Sequence, residues 1–463
     1  MKTLFITLLL LSNFVIAETN INKKLMSQLV EYYNASEYQK IFALYSDEMK
    51  AALPLTKSNE FMEGLKAQNG EIKDVEFFDN IGKETSIYKT TFNNSILSIR
   101  LSSDLDKNIS GLYIIPFTEK IEPATNTIKA NATSLSEKQL DTIIEHSQLF
   151  PNNTQVSIAL IEAGKVKYFG LLRKDDELIA IDNHNNVFEI GSITKVFTST
   201  LLANLVLNGK VDLDDTIDKY LDITFKDNVK ISFKELASHH SGLPRMPSNF
   251  DANITDNNNP FKNYGIEQLR EYLEKELSLN KKSFTYSNLG AGLLGYTLSK
   301  ISNKSYQQLL DEVIFKPYEM INSTTDKNTV ESLLIKGLNQ DGEVTQNWDL
   351  NVLSGAGAIL SSVKDLAKFA LAQFDQSNKA MTLTRKKTNE AGSKEIGLGW
   401  FINKKLNGND IYEHSGATGG YVSSMVIIPK TQEGIIILSN VSAFNRNSEH
   451  IIDLSYDLMK TLN

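Results

Sequence analysis

The chain has 463 residues, 41% hydrophobic and 22% charged, with a formal net charge of −8 and no cysteine. That length exceeds one ordinary compact core and predicts two domains. The acidic balance excludes nucleic acid and anionic lipid as main partners, and the missing cysteine excludes disulfides, thiolate nucleophiles and thiolate metal sites, so stability must come from packing.

Met1-Lys2 is followed by an apolar run, residues 4–11, and then by Val15-Ile16-Ala17, the pattern of a secretory signal cut before Glu18. The run is shorter than the roughly 20 residues that span a bilayer, and no later stretch reaches that length. Residues 1–17 are therefore expected to be removed, leaving an exported protein, periplasmic or secreted, with no membrane span and a net charge of −9.

Residues 18–117 read as a small α+β domain. Helices are predicted at 21–33, 37–52 and 61–68, the second opened by Ser36 with Gln39 at capping-box spacing. Strands follow at 75–78, 86–92, 96–101 and 111–117, with Asn93-Asn94 as a hairpin turn. The alternation of Leu97, Ile99 and Leu101 with Ser98 and Arg100 implies one covered face. Residues 118–133 are polar and aperiodic, and read as a linker.

The second domain, 134–463, opens with a helix at 135–149 and a hairpin of 155–162 and 165–172 around Gly164. Its far end mirrors this, with strands at 395–402, 411–414, 421–428 and 434–439 and a closing helix at 449–462. Between them lie a short strand at 187–190 and helices at 193–208, 233–239, 266–277, 289–301, 306–314 and 364–374. Ser232 and Glu235 form a capping pair for the second of these helices. The pattern implies an antiparallel sheet built from both chain ends, flanked by helices, with a helical subdomain inserted. The Asn- and Asp-rich stretch 251–263 is expected to form a loop beside the cleft.

Ser-x-x-Lys occurs four times, at Ser86, Ser192, Ser278 and Ser361, so the motif alone says little. Ser192 differs in its setting. It lies between the strand at 187–190 and a helix apolar on nearly every face, which must be buried. Three residues apart on a helix, Ser192 and Lys195 share a face, so the amine can reach the hydroxyl. Burial would lower the lysine pKa toward a base-competent form, and the helix N-terminus would favour an oxyanion. Tyr-x-Asn occurs at Tyr32/Asn34, on a helix of the other domain, and at Tyr286/Asn288, where a loop enters a helix and could project both side chains into a cleft. Glu413-His414-Ser415-Gly416-Ala417 ends one predicted edge strand. Its small residues would let a substrate backbone lie alongside, and the amide after Gly416 could be a second oxyanion donor.

These three elements, in this order and 94 and then 128 residues apart, resemble the class C branch of the serine β-lactamase and penicillin-binding hydrolases, which carries Ser-x-x-Lys, Tyr-x-Asn and a Lys/His-x-Gly triplet. The segments 209–215, 236–244, 355–357 and 397–400 also look like recurrent stretches of that family. The resemblance covers roughly residues 135–463 and implies a β-lactamase/transpeptidase-like domain. By it, Ser192 is acylated, Lys195 and Tyr286 manage its proton, and Asn288 orients the substrate amide. His414 takes the strand position, with Ser415, Gly416 and Ala417 as substrate-binding backbone. Which of Lys195 and Tyr286 is the base stays open. No metal or cofactor is implied; His239-His240 falls in the family's Leu-Pro loop segment, without further ligands at zinc spacing.

One departure carries weight. Where β-lactamases usually have Lys-Thr-Gly, this chain has His414-Ser415-Gly416, and histidine is largely neutral near pH 7. The resemblance therefore implies acyl-enzyme hydrolysis of a small-molecule or peptide substrate, with a cell-wall D-amino-acid peptide or an ester leading. A class C-type β-lactamase is the near alternative. A slow penicillin- or wall-fragment-binding receptor is the alternative of another class. The N-terminal domain looks like the small nuclear-transport-factor-related α+β domains found ahead of such hydrolases, in a binding or spacing role.

Overall fold

The computed structural model describes residues 20–81, 85–104, 106–117, 122–129, 133–392, 394–404 and 408–462, so the segment read as a signal lies outside it. Contacts divide the chain into two units, residues 1–120 and 121–463. Among the described residues no helix is long and apolar enough to cross a membrane.

The first unit packs four helices, α1 (Asn20–Asn34), α2 (Tyr38–Ala43), α3 (Asp47–Ala52) and α4 (Leu55–Asn69), with an antiparallel sheet in the order β1 (Ile72–Ile81), β2 (Thr85–Phe92), β3 (Ile96–Ser103) and β4 (Ile109–Pro116). Leu25, Tyr33, Tyr45, Ile99 and Leu101 are in its core. The single helix expected at 37–52 is two. Tyr45 bridges to Ile109, with Ser46 N donating to Ile109 O and Ile109 N to Leu44 O. This non-local pairing spends backbone groups that a continuous helix would use. Ser46 then caps α3. Ser36 adopts φ 58°, outside the extended conformation an N-cap requires, and its hydroxyl accepts from Lys66 instead.

In the second unit, part of the stretch read as linker belongs to the sheet: β5 (Thr125–Asn126) pairs in parallel with β8, and Ile128 is buried. The chain continues through α5 (Glu137–Ser147), β6 (Gln155–Glu162), β7 (Lys165–Lys174), β8 (Glu177–Ile181), β9 (Phe188–Glu189), α6 (Thr194–Leu207), α7 (Phe233–Ala237), α8 (Ile266–Glu271), α9 (Asn288–Ser302) and α10 (Tyr306–Leu310). After β10 (Leu360–Ser361) come α11 (Val363–Phe374), α12 (Lys379–Arg385), β11 (Asn389–Ala391), β12 (Lys394–Ile396), β13 (Phe401–Lys404), β14 (Asp410–Ala417), β15 (Val422–Ile428), β16 (Glu433–Ser439) and α13 (His450–Met459). The large sheet runs β11-β12-β13-β14-β15-β16-β6-β7-β8-β5, antiparallel apart from the β5 pairing.

Both faces of this sheet are covered. Ile435 and Ile437 of β16 join the core with α5 and α13, whereas Ile436 and Leu438 join the larger core around α6 and α9. Two-sided burial is why β15 and β16 read as nearly continuous apolar runs. The strand expected at 395–402 is two, β12 and β13, paired antiparallel. Leu398 N donates to Thr384 O and Gly399 N to Ala237 O, so the turn between them is pinned to α12 and the end of α7.

Candidate active site

Ser192 lies in a tight turn, residues 191–193, that leads into α6. This start is pressed against β14. Gly191 adopts φ 48°, and a Cβ there would lie 2.7 Å from Ala417 N; a Cβ on Gly416 would collide with Ile190 O. Glycine at both positions lets the Ser192 turn touch the strand directly.

Ser192 is half-buried, whereas every residue of α6 from Thr194 to Ala203 is buried. Lys195 Nζ stands 2.8 Å from Ser192 Oγ and donates to Ala356 O at 2.7 Å. Burial, and secondarily the nearby Arg245 cation, hold the Lys195 amine well below the ordinary lysine range. Its neutral form offers a lone pair to the Ser192 proton.

Tyr286 and Asn288 flank Ser287, which caps α9 by accepting from Gly290 N at 2.9 Å. The segment is clamped to the 239–245 loop: Thr285 N donates to His239 O, Ser287 N to His239 Nδ1, Ser287 Oγ to Pro244 O and Asn288 N to Arg245 O. The Tyr286 ring packs on His239, with centroids 4.4 Å apart, and lies nearly parallel to Phe401. Lys195 Nζ is 5.0 Å from its centroid. Burial pushes the Tyr286 phenol up to about 12, against the pull of a hydrogen bond with Ser192 and of Arg245, so it stays protonated at neutral pH. The pair His239-His240 thus divides, with His239 supporting Tyr286 and His240 Nδ1 bonded to Ser238 O.

The expected edge strand is internal to the sheet, but β13 covers β14 only from Asp410 to Glu413. From His414 to Ala417 one side is open. Because Thr418 N donates to Tyr421 O, antiparallel alternation turns the N–H groups of Ser415 and Ala417 toward that open side. The Ala417 N–H and the first-turn N–H of Ser192 are therefore adjacent donors.

His414 Nδ1 donates to Ser415 O at 2.7 Å, which leaves Nε2 as the acceptor nitrogen. Nε2 is buried and meets no partner among the described residues. Burial, and then the Lys195 charge, push the imidazole down to about 3. This position of β14 thus presents a bare acceptor rather than a cation.

All eight residues expected at the site come together, and Ser192, Tyr286, Asn288 and His414–Ala417 line one cavity of about 750 Å³, with Lys195 behind Ser192. Its opposite wall includes Met246, Phe250, Ile254 and Phe261 from the 245–261 loop, together with Trp348, as expected for a loop beside the cleft. Sequence reasoning missed Arg245, Phe401, Trp348 and the Glu449 and Ile452 contribution near α13. Arg245 had a signal, since it follows Gly242-Leu243-Pro244 directly; the others reach the cavity only through distant packing.

The β-lactamase family profile matches residues 151–456. DUF3887, described as a protein of unknown function, matches residues 27–112. Protein flp of Staphylococcus aureus (strain MW2) is 26% identical over 338 residues, 69% of this chain and 65% of that protein. The chain thus spans about 65% of the length of such curated relatives. β-Lactamase-like protein 2 of Dictyostelium discoideum is 33% identical over 198 residues, 40% of this chain and 36% of that protein. Among solved structures, a class C β-lactamase from Rhodobacter sphaeroides has a TM-score of 0.60 at 18% identity, covering 70% of this chain and 99% of its own. A β-lactamase/D-alanine carboxypeptidase from Pseudomonas syringae has a TM-score of 0.59 at 20% identity, covering 70% and 98%. At these identities the two structures speak for the fold alone.

Proposed function

The chain belongs to the β-lactamase family, and from that premise we propose that it is a serine hydrolase that opens an amide or ester through an acyl-enzyme on Ser192. The observation that carries this reading is the 2.8 Å approach of Ser192 Oγ to an amine that burial holds well below the ordinary lysine range. Lys195 takes the Ser192 proton as Oγ attacks the substrate carbonyl, and the resulting oxyanion lies against the Ser192 and Ala417 N–H groups. The bond to the leaving group then breaks, and the protonated Tyr286 phenol hands a proton to the departing atom and is reprotonated from Lys195. A water molecule attacks the acyl-enzyme, its proton passing to the same pair. The Ser192 ester bond breaks and Oγ regains its proton.

The favoured substrates are D-amino-acid peptides of cell-wall type or esters. The neutral acceptor at His414 supports the ester most directly, because the carboxylate of a β-lactam or of a D-amino-acid peptide would meet no cation on that strand. A class C-type β-lactamase is the second reading, favoured by the meeting of Ser192, Lys195, Tyr286 and Asn288 at one cleft. Turnover of D-Ala-D-Ala peptides, short-chain nitrophenyl esters and a chromogenic cephalosporin decides between them. Ser192→Ala should abolish turnover and fluorophosphonate labelling, and labelling that survives it would overturn the assignment. The pattern in residues 1–17 supports action outside the cytoplasm, and the N-terminus of the protein recovered from cells tests that proposal.

A further inference from the structure

We infer that Arg245 is a substrate anchor, and that the natural substrate carries an anionic group, a carboxylate or a phosphate, close to the bond that Ser192 opens. The inference rests on the acyl-enzyme reading above for the identity of that bond.

Arg245 is exposed and lines the same cavity as Ser192. Its backbone is fixed: the Arg245 carbonyl accepts from Asn288 N at 3.0 Å and Leu289 N at 3.2 Å, so its Cα is tied to the start of the helix that presents Tyr286 and Asn288. Its guanidinium carbon lies 5.2 Å from the Tyr286 ring centroid. Among the described residues the side chain has no ion-pair or hydrogen-bond partner, although it carries five donors.

The rest of the lining sharpens the point. Arg245 is the one permanent cation among the cavity residues, and Glu449 is the one acid. His414 is held neutral by burial, and its free nitrogen accepts. The positive charge of this site therefore sits on the 239–245 loop, which packs on the Tyr286 segment, rather than on β14. Most of the remaining wall is apolar, which strengthens a charge-assisted bond to an anion relative to bulk water. An unpaired, planar guanidinium on an anchored backbone at the rim of such a cavity is suited to a two-oxygen anion.

Packing on Tyr286 and electrostatic support of Lys195 are the rival roles for this side chain, and either would act on every substrate alike. Two ester pairs separate them: 4-nitrophenyl hemiglutarate against 4-nitrophenyl valerate, and 4-acetoxyphenyl phosphate against 4-cyanophenyl acetate. We expect the wild-type protein to favour the anionic member of at least one pair in kcat/KM. Arg245→Gln should lower that anionic-to-neutral ratio by about ten- to a hundredfold, the range of a hydrogen bond to a charged group, and Arg245→Lys should restore part of it. The pair that responds tells a carboxylate on the acyl side from a phosphate on the leaving group. A ratio that Arg245→Gln leaves unchanged in both pairs overturns the inference, whatever happens to the absolute rates. Binding of the same esters to Ser192→Ala, by calorimetry, keeps the two readings apart. Arg245-dependent binding of an anionic ester without wild-type hydrolysis would uphold the anchor and sink the acyl-enzyme. Hydrolysis at Ser192 without anionic preference would do the reverse.

Discussion

Two strand-to-helix junctions of the second unit carry the same Ser-x-x-Lys spacing, and their strands, β9 and β10, pair antiparallel, so the two helices leave from opposite ends of the pair. At the first, Ser192 sits inside the opening turn of its helix, so Lys195 shares its face and closes to 2.8 Å. At the second, Ser361 is still in the strand, and Ser362 caps α11 by accepting from Asp365 N. Serine and lysine there do not share a helical face. Ser361 Oγ instead bonds Ser323 Oγ in the core, and Lys364 Nζ donates to Asn185. Ser192 is thus distinguished by its phase relative to the helix start, and by a cavity in front of it, rather than by its spacing to a lysine.

The comparison breaks most readily at the serines. Ser192→Ala should lower kcat by about ten-thousandfold or more and remove covalent labelling. Ser361→Ala should leave the labelling rate intact while costing about 1–2 kcal/mol in denaturant unfolding, because Ser323 loses a buried partner. Equal effects on labelling would erase the distinction.

The lysines come next. Lys195→Met should reduce turnover by about a thousandfold, whereas Lys364→Met should change stability by no more than about 0.5 kcal/mol. The pH sign follows from the lowered Lys195 pKa. In the folded state the amine binds its proton only at a pH well below the ordinary lysine range, so wild-type turnover should rise with pH through that lowered pKa. The unfolded chain binds the proton up to about pH 10.4, so in the window between the two values folding stability should rise with pH. Titration of unfolding in wild type and Lys195→Met should show that this component vanishes in the variant.

Tyr286→Phe removes the protonated phenol but keeps the ring on His239 and Phe401. A loss of about a hundredfold in turnover, larger for poor leaving groups than for nitrophenolate, would place Tyr286 at the leaving-group proton. A uniform loss would restrict it to shaping the wall.

The smallest effects concern His414. Its pKa is depressed to about 3, so the unfolded state binds a proton between roughly pH 6.5 and 3 that the folded state refuses, and stability should fall as pH drops through that window. His414→Gln should flatten that fall, and Ser361→Ala should not. His414→Lys, which places a cation on β14, should raise cephalosporin acylation relative to ester acylation by about tenfold; an unchanged ratio would mean that this strand position does not set the preference.

Much of this was legible from local pattern. The Ser232/Glu235 capping pair forms as its spacing predicts, and the β6–β7 hairpin turns at Gly164. The burial of α6 follows from apolar residues on all its faces. Where the reading failed, a distant segment had taken over the local backbone. Ile109 divides the 37–52 helix, α7 and α12 hold the turn within 395–402, and β8 recruits residues from the expected linker. The cavity's far wall was invisible for the same reason, since Trp348 and Ile452 come from segments with no motif to mark them.

The sequence by itself determined which helix must be buried and which serine heads it, because periodicity and order along the chain are local properties. It also implied, through family resemblance, that Tyr286, Asn288 and His414 belong with that serine. Only the tertiary structure decided what these groups can do. The lowered pKa of Lys195, the protonated state of Tyr286 and the buried acceptor nitrogen of His414 are set by solvent exclusion, and the place of the Arg245 charge beside Tyr286 is set by the packing of one loop on another. Protonation and charge depend on the surroundings in space, and a linear pattern carries no record of them.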